Sequence, residues 1–123
     1  MIRMTPLDAP KPEVVGERRD EARKSMRVRV SLSAPGRPML EARGLEIGVS
    51  GMSLVAEANP AINALFTLGF TLLFADRSTL VVQISGSVAY CVFSSAHRGF
   101  KVGLNFKGAP PQVVAALERY MKE

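Results

Sequence analysis

Arg18-Arg19-Asp20-Glu21-Ala22-Arg23 is the densest concentration of charged chemistry in the chain. The surrounding segment, residues 17–29, holds six Arg/Lys against three Asp/Glu and carries most of the formal net charge of +5. Five of those six cations are arginines. A guanidinium is planar and forked, so it suits bidentate recognition of a phosphate or a base edge better than diffuse attraction does. Arg19 and Arg23 are four apart, and a helical or turn-like segment presents such a pair on one side. A solvated charged face is the plainer alternative. The second stretch of interest is Glu46-Ile47-Gly48-Val49-Ser50-Gly51, which offers a carboxylate, a hydroxyl and two glycines within one short turn. No lysine follows Gly51, so this is not a Walker-type phosphate loop.

Catalytic groups are not assembled anywhere in the sequence. A hydrolase or transferase needs a nucleophile with a base, paired carboxylates or a metal. The chain has one histidine, His97, in a turn-like Ser-Ser-Ala-His-Arg-Gly context, where exposure is expected. It has one cysteine, Cys91, expected to pack within a strand and unable to form an internal bridge. Together they cannot complete a four-ligand zinc site. Asp20 and Glu21 sit among arginines and are expected to pair with them. The expectation is a protein that is no enzyme and holds no metal or cofactor.

The elements that position these residues follow from the hydropathy pattern. At 123 residues and 13.3 kDa the chain fits one domain, and 47% hydrophobic against 22% charged is the balance of a soluble globular protein. Residues 1–16, with Pro6, Pro10, Pro12 and Gly16, are expected to form a flexible tail, leaving residues 17–123 as the domain. From Val28 onward apolar residues recur at every second position. Val30 and Leu32 begin the pattern, a weaker strand spans 38–47, and Met52, Leu54 and Ala56 resume it. Phe66, Leu68, Phe70, Leu72 and Phe74 form the clearest face. Leu80, Val82, Ile84, Val88 and Tyr90 follow it after an Asp76-Arg77-Ser78 turn, with a bulge or bend expected at Gly86. Phe100, Val102, Leu104 and Phe106 make the last strand. Only Val113, Leu117, Tyr120 and Met121, after Pro110-Pro111, carry helical spacing. About six strands with one apolar face each must close on themselves to hide their edges. The expected fold is therefore all-β: a six-stranded antiparallel barrel with a C-terminal α-helix and a flexible N-terminal arm. No apolar run reaches the roughly 20 residues of a membrane span and no secretory signal is evident, which points to the cytoplasm.

In this order and on this pattern, the two stretches resemble a PilZ domain, a bacterial receptor family for the second messenger cyclic di-GMP. Arg-Arg-x-x-x-Arg precedes the first strand, a short Asp-x-Ser-x-x-Gly-like turn follows at 46–51, and Gly99–Phe106 is similar to the family's last strand. The resemblance covers about residues 17–122. It implies that Arg18, Arg19 and Arg23 form an arm that closes over the nucleotide against Glu46, Gly48, Ser50 and Gly51. Where the family has Asp or Asn this chain has Glu46, and where it has Ser this chain has Gly48; Gly51 matches. Glu46 keeps a carboxylate able to accept from a guanine N1–H and exocyclic amine, one methylene further out. Ordering of the arm on binding is what would make the signal, passed on to a downstream effector protein or through a homodimer. Two alternatives remain. One is a PilZ-like protein-interaction module that no longer binds the nucleotide. The other, less favoured, is a small barrel that binds single-stranded nucleic acid, which needs basic grooves and exposed aromatics.

Overall fold

The period-two segments become antiparallel strands that bend round until the last meets the first. The structure, a computed structural model, describes residues 22–123; the tail 1–16, Arg18 and Arg19 lie outside the described residues. Its elements are β1 (Lys24–Ser25), β2 (Arg29–Ser33), β3 (Leu40–Ile47), β4 (Gly51–Ala56), β5 (Leu65–Leu73), β6 (Thr79–Ser94), β7 (Gly99–Lys107) and α1 (Pro111–Lys122). The hydrogen-bonded order β3-β2-β5-β6-β7-β4 closes because β4 also pairs with β3. Six strands thus form the barrel and leave no open edge. β1 lies against the far end of β3, in line with β2.

The core is the inward face of these strands. Along β5, Phe66, Leu68, Phe70 and Leu72 are buried while Leu65, Thr67, Thr71 and Leu73 are exposed, as strand pleating requires. Phe70 stacks near Phe106 with centroids 6.4 Å apart. The Ala34-Pro35-Gly36 turn closes through Arg37 N–H to the Ala34 carbonyl at 3.2 Å, with Gly36 at φ 73°, where proline then glycine is the favoured pair. Helix α1 adds Val113, Leu117 and Tyr120 to the same core. Tyr120 meets Phe74 edge-on, and Arg119 bonds Asp76 at 3.0 Å beside the β5–β6 turn.

Three details differ from the sequence pattern. The bulge of β6 falls at Ala89, not Gly86, because the β6–β7 register shifts between Val88 and Tyr90. That extra residue reverses the phase, so Tyr90 is exposed and Cys91 is half-buried, its Sγ donating to Asn59 Oδ1 at 3.1 Å. Gly86 instead permits close packing: a Cβ there would lie 2.8 Å from Leu68 Cδ1. Leu80 is exposed because β7 pairs with β6 only from Ser85 onward, leaving the start of β6 with a neighbour on one side. His97 is half-buried rather than exposed; its Nδ1 lies 2.9 Å from Ser94 Oγ.

Candidate functional site

The corner where β1 meets the β3–β4 hairpin gathers the described residues of both stretches. Lys24 pairs with Ile47 and Ser25 with Glu46, so one further step of the antiparallel register sets Arg23 opposite Gly48. Directly opposed residues share a face of the sheet, and side chains alternate. Ile47 is fully buried in the core, which places Glu46, Ser25 and half-buried Arg23 on the outer wall. Lys24, on the alternate phase, bonds the Tyr120 carbonyl at 2.9 Å and sits 4.3 Å from the centre of that ring. The last residues of the arm are thereby fixed to both β3 and α1.

A bulge and a glycine create this arrangement. The β3–β4 register shifts between Gly44 and Glu46, an irregularity that re-aims the following side chain. Met26 N–H donates to the Leu45 carbonyl at 2.9 Å, and Gly44 N–H donates to the Val28 carbonyl at 2.7 Å. A Cβ on Gly44 would stand 2.7 Å from the Met26 carbonyl oxygen, so only glycine lets the arm pass this close. The turn itself closes through Gly48 N–H to the Gly51 carbonyl at 2.9 Å. Ser50 is exposed, and its carbonyl accepts from Phe106 N–H at 2.9 Å, tying the turn to β7. Gly51 is buried against Leu104, whose carbonyl oxygen a Cβ there would strike. Among the described residues the positive-φ glycines are Gly36 and Gly108, so Gly48 holds a backbone that other residues adopt.

Behind Glu46 the outer wall is hollow. A cavity of about 190 Å³ is lined by Arg27, Glu46, Ser53, His97 and Lys101. A second, of about 180 Å³, shares Arg27, Leu45 and His97 with it and reaches Arg43. Arg43 donates to the His97 carbonyl at 3.1 Å. Arg43 and Lys101 thus join Arg27 of the basic segment along this wall. Of the rings a single strand would stack on, Phe66, Phe70 and Phe74 are buried in the core, while Tyr90 and Phe93 are exposed on β6. Sequence reasoning missed Lys101 and Ser53 at this corner. Their strand phase was the available signal, since Ser53 opposes Glu46 on β4 and Lys101 opposes Val55 on β7.

Fold and site together define a small closed barrel with a cationic corner on its outer wall. The PilZ domain model matches residues 17–123, and the chain belongs to the PilZ domain family. Among solved structures, the Bacillus subtilis inhibitor of motility (MotI/DgrA) superposes with a TM-score of 0.73 at 13% identity, over 83% of this chain and 48% of that one. YcgR from Escherichia coli in complex with cyclic di-GMP gives 0.67 at 14% identity, over 85% and 45%. The PilZ domain of the same YcgR, with cyclic di-GMP, gives 0.64 at 14%, over 85% and 89%. At these identities the likeness is one of fold, and this chain spans about half the length of the first two. No curated protein matches the sequence. Among the described residues no helix is long and apolar enough to cross a membrane, and no cluster of His, Cys, Asp and Glu could hold a metal.

Proposed function

We propose that this chain is a cytoplasmic, non-enzymatic receptor for cyclic di-GMP that passes its signal to an effector protein. The observation that carries the reading is the β1–β3 register, which pairs Ser25 with Glu46 and Lys24 with Ile47 and so brings the end of the arm to the β3–β4 turn. Cyclic di-GMP is the ligand present with the two YcgR structures, and it offers two phosphates and two guanines for recognition. Arg23, with Arg18 and Arg19 from the arm, forks onto a phosphate or onto guanine O6 and N7. The Glu46 carboxylate accepts from guanine N1–H and the exocyclic amine. Gly51 keeps the turn close to β7, and Ser50 offers a hydroxyl at its exposed tip. Gly48 supplies no hydroxyl and Glu46 stands one methylene further out than the family's Asp, the two departures that favour an interaction module without nucleotide.

Isothermal titration with cyclic di-GMP tests the reading. Arg23→Ala is expected to cost about 1.5–3 kcal/mol of binding, a loss of roughly 10- to 150-fold, with the melting temperature little changed. Equal affinity in the variant and the parent would show that the arm is not a nucleotide clamp.

A further inference from the structure

Ser53 is the one buried side-chain oxygen or nitrogen among the described residues that lacks a hydrogen-bond partner. Its residue is 3% exposed and lines the 190 Å³ cavity beside Glu46. A buried hydroxyl without a partner is costly, so its place in a wall invites a group that completes it. Arg27 and Lys101 line the same cavity, and among the described residues neither side chain makes an ion pair or a hydrogen bond. Arg29, by contrast, faces Glu41 at 3.8 Å, and Arg119 holds both Asp76 and Glu123. Two unpaired cations against the single carboxylate of Glu46 leave the cavity net positive. It is also small. With its neighbour it reaches only the lower end of small-ligand pockets, about 300–1,000 Å³, which suits one compact anionic group and not a whole nucleotide.

We propose that this cavity is a phosphate subsite, bound by Arg27 and Lys101 with Ser53 Oγ–H donating from its floor. Resting on the receptor reading above, it takes the second phosphodiester of the cyclic dinucleotide. The spacing supports this. Ser25 lies opposite Glu46 and Lys24 opposite Ile47, with Arg23 just before them and Arg27 beyond, where Met26 and Val28 bond Leu45 and Gly44. Four residues of near-extended chain span about 13 Å, so one guanidinium root stands on either side of Glu46.

The test uses the full chain with GMP as the probe and guanosine as its phosphate-free control, read by amide chemical shifts. Saturable shifts at Ser53, His97 and Lys101 with GMP, absent with guanosine and lost in Arg27→Ala/Lys101→Ala, are expected. Ser53→Ala should weaken GMP binding several-fold while the melting temperature holds or rises, since the substitution removes an unsatisfied group. A purely structural serine would lower stability and leave the GMP affinity alone. With cyclic di-GMP, the Arg27→Ala/Lys101→Ala protein should lose about tenfold or more. No GMP-dependent shift at the three amides, or the same shifts with guanosine, overturns the subsite. If the parent binds cyclic di-GMP through Arg23 and the double variant binds it equally well, the subsite falls and the receptor reading stands. GMP binding in the cavity without any binding of cyclic di-GMP leaves the phosphate site standing and removes the receptor.

Discussion

Along the β5–β6 hairpin, buried apolar residues alternate with more exposed ones on either side of the turn, whereas the β3–β4 corner buries Gly44, Gly48, Gly51 and Ser53 and slips its register at Leu45. The first region fills its inward face with Phe66, Leu68, Phe70, Val82 and Ile84 and leaves no buried side-chain polar atom without a partner. The second gives up side-chain volume so that backbone can pass close to backbone, and it keeps a carboxylate, a buried hydroxyl and several guanidiniums on one wall. One barrel thus separates what holds it together from what it presents to a ligand. Substitutions in the two regions should therefore be felt in different measurements.

The largest effect is expected in the regular region. Phe70 is 4% exposed and stacked near Phe106, so Phe70→Ala should destabilise by about 3–5 kcal/mol in urea titration. That is a large part of the roughly 5–15 kcal/mol that holds a domain of this size. A loss below about 1 kcal/mol would mean that the wall of phenylalanines does not carry the stability assigned to it.

An intermediate effect belongs to the corner and runs in the direction of gain. Glu46→Asp with Gly48→Ser restores the family pattern at both departures. A recovered hydrogen bond to a charged partner contributes about 1.5–3 kcal/mol, so affinity for cyclic di-GMP should rise by about tenfold or more with stability nearly unchanged. Gly48 is not at positive φ, so the serine meets no left-handed strain, but it is buried and its hydroxyl needs room. Measuring each single change beside the double separates the hydrogen bond from the fit. Unchanged affinity in all three would move the balance toward an interaction module.

The smallest effect sits at the β5–β6 turn. Asp76 accepts from Ser78 Oγ–H at 2.5 Å and Ser78 N–H at 2.9 Å, and it pairs with Arg119. The Ser78 hydroxyl first, then its amide and the Arg119 guanidinium, hold this carboxyl below its ordinary value of 3.8. A depressed folded pKa contributes stability that is present above the unfolded value and is lost as pH falls through the folded one. Asp76→Asn should therefore melt slightly below the parent at neutral pH, and the gap should close in acid below 3.8. The group is fully exposed, so solvent screening keeps the gap small. A gap that widened in acid would contradict the sign.

The same contrast decides what the sequence could disclose. Period two along β5 and at Val82, Ile84 and Val88 is written directly into residue types, because each inward position is satisfied by burial alone. The closed barrel and its C-terminal helix follow from that pattern. Bulges leave no such trace: Ala89 and Leu45 are ordinary residues, and only pairing with the next strand shows that each is one too many. Tyr90 was accordingly expected inward. At the corner, Arg23, Glu46 and Gly51 were legible from local spacing and from the resemblance to the family. Ser53 and Lys101 were not, since what unites them with Arg27 is a cavity between strands distant in sequence.

Mapping cyclic di-GMP onto the protein by amide chemical shifts tests the central claim most directly. Receptor function at the β1/β3–β4 corner predicts saturable shifts concentrated at Arg23–Ser25 and Glu46–Gly51, with Leu73–Leu80 at the β5–β6 turn unmoved. Saturable shifts centred on Leu73–Leu80, or none at any concentration up to the millimolar range, would contradict it.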